Sequence, residues 1–332
     1  MNREIIIMKK QVVLASMLAL LSVDAMAGVI RDDVSDIAYR QLSYNQQFDS
    51  VGAILFDTPA GGYICSGTVI ATNWVLTAGH CVDDALSMTF LLPQFNADRT
   101  TLLGHVAHTA TDWTAHENWT GANLWSGWDI GLMYFDNPFD VTPAKLYNGN
   151  NESGAVTTHV GYGATGNGLT GVTAGPGTRR AGQNLVDGLY SDEGSGQQIL
   201  LSDFDHPDQS AINPDTGITH NGFVNYAYSV FGFGITSQSG ALDMEYGIAG
   251  GDSGGAAFIE QSGEWLLAGV HSFGSGLYRP STTQYGEIFG SVRVSDHVDW
   301  IQSFTVMAVP NPATLALFGF GLTMLWTRRR RS

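Results

Sequence analysis

The apolar positions of this chain fall in short runs rather than at helical spacing. From Asp49 onward, β-branched and aromatic clusters are broken every few residues by Gly, Asn, Asp or Pro, and few stretches hold a period of 3.6. Residues 51–56, 63–71, 74–77, 130–135 and 266–271 are the clearest strand candidates. This pattern predicts an all-β barrel or sandwich, and the 41 glycines suit the tight turns and bulges that closed sheets need. Near the end, Val298, Ile301 and Phe304 share one side at helical spacing, which predicts a C-terminal helix over residues 295–304 packed on the β body. Residues 161–177 and 191–222 carry no sustained apolar period and read as long surface loops. Pro143 and the run Asn148-Gly149-Asn150-Asn151 make residues 140–151 a linker, at which the body divides.

Both ends carry apolar runs of another kind. Lys9 and Lys10 precede an apolar run over residues 12–23, and Ala25-Met26-Ala27 offers a small-x-small cleavage site before Gly28. Residues 1–27 therefore read as a signal peptide and 28–48 as an N-terminal extension. The two halves of the body cover 49–145 and 146–304, and a C-terminal signal covers 305–332. That signal has three parts: Val309-Pro310-Asn311-Pro312, an apolar run over 313–326, and Arg328 to Arg331. It resembles the bacterial PEP-CTERM sorting signal, which implies processing by an exosortase-type membrane enzyme; Asn311 stands where that family usually has Glu. As a helix the 14-residue run reaches about 21 Å, against a hydrocarbon core of about 30 Å. The arginines should stay on the cytoplasmic side. The expectation is an exported protein of a Gram-negative-type cell envelope or its surroundings, touching membrane only through this segment.

Charge narrows the partners. The formal net charge is −16, and between Gly28 and Pro310 there are 8 Lys and Arg against 29 Asp and Glu. So acidic a body repels phosphate backbones, which excludes nucleic acid. The two cysteines, Cys65 and Cys81, lie in the exported part and are expected to bond to each other, stabilising the fold by roughly 3 kcal/mol on the chain-entropy model. Two cysteines without an HExxH helix make a poor zinc site. Asp203, Asp205, Asp208 and Asp215 lack EF-hand spacing and read as a solvated acidic loop. His105 and His108 read as surface residues. No metal or cofactor is expected.

Two motifs carry chemistry. Gly251-Asp252-Ser253-Gly254-Gly255 places a serine in a glycine-rich turn whose backbone can approach a carbonyl. Alone, this GxSxG pattern is shared with α/β-hydrolases. The second motif is Thr77-Ala78-Gly79-His80-Cys81, preceded by Cys65-Ser66-Gly67-Thr68 and Trp74-Val75-Leu76. Together, CSGTVIATNWVLTAGHC and GDSGG resemble the signatures of the chymotrypsin, or trypsin-like S1, peptidases. The resemblance spans residues 49–304 and implies two perpendicular six-stranded β-barrels, a C-terminal helix and an active site in the cleft between barrels. It makes His80 the general base and Ser253 the nucleophile. Trp128-Asp129-Ile130-Gly131-Leu132 matches the family's DIxL segment, so Asp129 orients the base. The order His, Asp, Ser opposes an α/β-hydrolase, which would need His271 or His297 in that role.

The resemblance also assigns the amides of Gly251 and Ser253 to the oxyanion hole, and Gly247, Ile248, Ser272, Phe273 and Gly274 to the substrate pocket. No carboxylate stands at Gly247, which implies an apolar or small P1 side chain. Glu287, if it points inward, would restore a basic preference. Ala249 replaces a cysteine that usually forms a second disulfide. Asp252 is expected to be held by another residue rather than by a newly cut N-terminus, although Gly28, or cuts after Arg31 or Arg40, could supply one. The reading is a secreted serine endopeptidase acting on proteins or peptides, with activity rising from acid towards neutral pH because His80 must be uncharged. The competing reading is an adhesion or binding protein of the envelope with an unused triad.

Overall fold

The computed structural model describes residues 28–305, apart from 193, 215, 231, 238–239 and 275–282. The expected signal peptide and sorting signal lie outside the described residues. Among the described residues no helix is long and apolar enough to cross a membrane. The chain divides into two compact units, Met1–Asp296 and His297–Ser332. The described part of the second is His297 and the helix Val298–Thr305, with Val298 and Ile301 buried and the Trp300 and Phe304 rings 5.4 Å apart.

In the larger unit a seven-stranded antiparallel sheet runs in the order Leu102–Thr109, Ser87–Phe95, Val51–Thr58, Gly61–Ala71, Trp74–Thr77, Gly131–Tyr134, Asp112–Ala115. Its register follows from period-2 patterning. In Val51–Thr58, Ile54 and Phe56 turn inward while Leu55 and Asp57 turn to solvent, and a one-residue slip would reverse all four. Phe90, Phe135 and Phe139 close this core, with ring centroids 4.8 to 6.2 Å apart.

A second ladder runs in the order Arg180–Leu185, Val156–Gly161, Ala256–Gln261, Glu264–Gly274, Ile288–Arg293, Ile199–Asp203, Gly188–Tyr190. The short strand Lys145–Leu146 pairs with Glu264–Gly274 in parallel, inside the segment read as a linker. The sheets hold seven and eight strands rather than six because pieces of two to four residues, too short to show a pattern, join the ladders.

Three segments differ from the sequence reading. Within residues 161–177, Thr165–Asn167 and Gly171–Ala174 form a hairpin, to which Gly28–Ile30 adds in parallel and Tyr246–Gly247 beyond it. Within residues 191–222, Ile199–Asp203 is a fully buried strand, its apolar run of three being too brief to stand out. The helix His220–Val230 follows; Val224, Ala227 and Tyr228 form its apolar stripe against Ile199, Leu201, Phe273 and Ile288. Gly222 and Asn225, poor helix formers, obscured that stripe.

The N-terminal extension is ordered by two buried arginines. Arg180 pairs with Asp36 of the helix Asp36–Ser43, and the Arg179 guanidinium donates to the carbonyls of Ser43 and Phe48. Both arginines are 0% exposed, so their bonds fix the extension against the second sheet.

Candidate active site

His80 follows the strand Trp74–Thr77 in the short helix Gly79–Val82, next to Cys81, which is disulfide-bonded to Cys65. Asp129 lies two residues before the apolar strand Gly131–Tyr134 and is fully buried. Its Oδ2 lies 2.8 Å from His80 Nδ1, and its Oδ1 accepts the His80 backbone N–H at 2.8 Å. The Ser272 hydroxyl donates to the same Oδ2 at 2.5 Å. Gly79 permits this approach, since a Cβ there would stand 3.2 Å from Asp129 Oδ1. A carboxylate facing Nδ1 selects the tautomer with Nδ1–H, leaving Nε2 as an acceptor.

Ser253 sits in a turn that only glycine allows. Gly251 and Gly254 have φ of 99° and 78°, and a Cβ on Gly254 would lie 2.0 Å from Thr77 Oγ1 and 2.3 Å from the Ser66 carbonyl. Ser66 braces the turn twice: its N–H donates to the Ser253 carbonyl at 2.8 Å and its hydroxyl to the Gly251 carbonyl at 2.9 Å. From the other side Gly254 N–H donates to the His271 carbonyl and His271 N–H to the Gly255 carbonyl. Among the described residues neither the Gly251 nor the Ser253 N–H has an intramolecular acceptor. His80 and Ser253 line one cleft of about 800 Å³.

Asp252 points away from the cleft. Its carboxylate accepts the Gly163 N–H at 2.8 Å, the Ala249 N–H at 2.9 Å and the Tyr246 hydroxyl at 3.3 Å. Burial pushes its pKa up to about 6. Gly28, at the start of the described chain, lies against the Tyr246 ring so closely that a Cβ would meet it at 2.0 Å.

Beneath the turn lies a buried imidazole pair. The Thr157 hydroxyl donates to the Asn184 carbonyl, so it accepts from His159 Nε2 at 2.9 Å, which leaves His159 Nδ1 to accept from His271 Nε2 at 2.9 Å. Burial holds His271 down to about 3 and His159 well below its ordinary value. Both stay neutral in the fold but charge in the unfolded chain below about pH 6.5. The unfolded state therefore binds more protons between roughly pH 6.5 and 3, and stability rises with pH across that window. Buried carboxyls such as Asp252 and Asp205, whose pKa values are raised, act in the opposite sense, so the pair is read by difference: from pH 7 to pH 4.5 the urea midpoint of wild type should fall more than that of a His159→Gln/His271→Gln variant, and equal falls would show that the pair titrates normally.

Of the residues that the resemblance assigned to the substrate pocket, Ile248, Ser272, Phe273 and Gly274 line the cleft, and Glu287 also reaches it. Gly247 does not line it: it pairs in register with Val29, and its Cα faces Thr283 and Phe204. Thr283, Ile288 and Phe289, which no sequence motif assigned individually, also line it. Only pairing of Ile288–Arg293 with both Glu264–Gly274 and Ile199–Asp203 reveals them, and the intervening residues give no motif. Asp203 and Asp205 are 2% and 3% exposed rather than solvated, because Asp203 ends a buried strand; Asp208 is exposed and bonds Ser210, and Asp215 lies outside the described residues. His105 and His108 are half-buried, against Tyr162 and Phe139. Among the described residues, the one group of three metal-ligating side chains with atoms within 4.8 Å of one another is Cys65, His80 and Cys81, whose sulfurs are bonded together and offer no thiolate.

The profile of the Trypsin family matches residues 41–181. Brachyurin of Leptuca pugilator is 29% identical over 245 residues, covering 73% of this chain and 88% of that relative. Lectizyme of Glossina austeni is 36% identical over 81 residues, 24% of this chain and 28% of its own. Chymotrypsin-like elastase family member 1 of Canis lupus familiaris is 30% identical over 71 residues, 21% of this chain and 27% of its own. Among solved structures, HL collagenase superposes with a TM-score of 0.53 at 19% identity, covering 85% of this chain and 99% of its own.

Proposed function

We propose that the chain is a trypsin-like S1 serine endopeptidase acting on proteins or peptides, with Ser253, His80 and Asp129 as its triad, a reading that the Trypsin profile, the likeness to Brachyurin and the chymotrypsin-like fold support. The observation that carries this reading is the two-point grip of Asp129 on His80, through Nδ1 and the backbone N–H. It fixes the imidazole with Nε2 free to take the Ser253 proton. Attack of Ser253 Oγ on the scissile carbonyl gives a tetrahedral oxyanion, which the amides of Gly251 and Ser253 receive. His80 then returns the proton to the leaving amine, and water hydrolyses the acyl-enzyme by the same route. Losing one such oxyanion donor typically costs about 2.7 to 4 kcal/mol in the barrier.

For P1, Ile248 and Phe289 line the cleft and pack in one core cluster with Tyr246, which favours small or apolar side chains. Cleavage of a diverse peptide library should follow Ala, Val or Leu. Phe289→Ala, by deepening the floor, should raise kcat/KM for larger P1 residues by about tenfold or more. Dominant cleavage after Arg or Lys would reverse the assignment and make Glu287 the selecting residue.

The proposed exported enzyme needs no trypsin-like activation, since Asp252 already has three donors. A cut after Arg31 or Arg40 would remove the strand Gly28–Ile30 from its sheet. The N-terminal sequence of the active secreted protein should begin near Gly28, and a start after either arginine would contradict this. Sorting through the C-terminal segment by an exosortase-type enzyme belongs to the same proposal, on the strength of its proline motif, apolar run and arginine cluster.

A further inference from the structure

Three polar atoms are buried where the N-terminal extension meets both sheets, and none has a hydrogen-bond partner among the described residues: Arg179 Nε, Tyr162 Oη and His105 Nε2. Arg179 and Tyr162 are 0% exposed. They are the next residues beyond the Gly161–Arg180 pair, so both stand at the same end of one ladder of the second sheet. His105 comes from the first sheet, where it pairs with Pro93, and its ring lies 5.7 Å from that of Tyr162. The Phe95 ring stands 5.6 Å from the Arg179 guanidinium. The guanidinium charge is felt by both neighbours: burial first and then Arg179 lower the His105 pKa, while burial raises that of Tyr162 and Arg179 acts against the rise.

Charge at this junction is unbalanced. Arg179 gives its two terminal nitrogens to the carbonyls of Ser43 and Phe48, which are neutral. The carboxylate that acts on it, Asp49, is bonded to Arg99, so two guanidiniums share one carboxylate. A buried donor without an acceptor is costly, the more so on a charged group, and native proteins answer it with ordered water or an ion. We propose that Arg179 Nε, Tyr162 Oη and His105 Nε2 form the shell of an enclosed site for a small monovalent anion, chloride. Each can present a hydrogen to it: the guanidinium always, the phenol by rotating its O–H, and the neutral imidazole by carrying its proton on Nε2. None is an acceptor-only group, which disfavours a cation. The single excess positive charge matches one negative charge, and enclosure separates the ion from the field of an acidic body that repels anions at its surface. The Tyr162 N–H donates to the Ser66 hydroxyl, which donates to the Gly251 carbonyl, and the Gly163 N–H bonds Asp252, so the ion would also steady the strand end behind the nucleophile turn.

Ser253→Ala protein, which cannot digest itself under the proposed mechanism, provides a test independent of catalysis. It is exchanged into sodium gluconate and titrated with NaCl at constant ionic strength. Chloride at a hundredfold excess over its Kd should raise Tm by roughly 5–10 °C. In crystals grown with NaBr, the anomalous map should show bromide beside Arg179 and Tyr162. Replacing Arg179 would also release the extension, so the discriminating substitutions are Tyr162→Phe and His105→Phe, which remove atoms that no protein group among the described residues bonds. Combined in one variant, they should leave Tm in gluconate no lower than in the parent and abolish most of the chloride response. A Tm indifferent to chloride, a bromide map empty at this point, or a response undiminished in the double variant would each overturn the site.

Discussion

Ser253→Ala removes peptide hydrolysis, with kcat expected to fall by roughly 10⁶-fold while the protein melts as before. The bonds that shape the turn, from the Ser66 N–H and hydroxyl to the Ser253 and Gly251 carbonyls and between His271 and the Gly254–Gly255 pair, do not use the Ser253 side chain, and alanine keeps them all. What disappears is the hydroxyl proposed to give its proton to His80. A fluorophosphonate probe should label wild type and leave the variant blank. Equal labelling of both would mean another nucleophile, and labelling of neither, with no turnover, would favour an adhesion protein that merely keeps the fold.

Asp129→Asn should lower kcat/KM by roughly 10⁴-fold near neutral pH with little change in KM. The substitution preserves shape, so the effect isolates charge and tautomer. Asp129 accepts three bonds, from the His80 N–H, from His80 Nδ1 and from Ser272. An amide can accept only at its oxygen, and its NH₂ would turn the imidazole so that Nε2 carries the proton, which cannot then take one from serine. Single-turnover kinetics across pH 5–10 should show the deficit shrinking as pH rises. A loss below tenfold would move the orienting role to another residue.

The strands with a clear alternation were legible from the sequence, and so were the motif residues, because glycine, disulfide and acid are each demanded by local geometry. Gly254 is readable since nothing larger fits beside Thr77. Phe289 was not readable, since its place on the cleft depends on pairing with strands far away in sequence. Asp203 looked solvated because four acids among polar residues resemble a loop, and only the burial of Ile199–Asp203 reveals that its carboxyl is enclosed. Gly28–Ile30 carries no alternation at all, and its partners, Thr165–Asn167 and Tyr246–Gly247, are each three residues or fewer.

The Cys65–Cys81 bond spans 16 positions and staples the residue beside His80 to the residue beside Ser66, which grips the nucleophile turn. One covalent link thus ties the segment of the proposed base to the segment that grips the proposed nucleophile, at roughly 3 kcal/mol on the chain-entropy model. If the chain is exported as proposed, a copy held among cytoplasmic reductants lacks that fastening and gains it only on reaching an oxidising compartment.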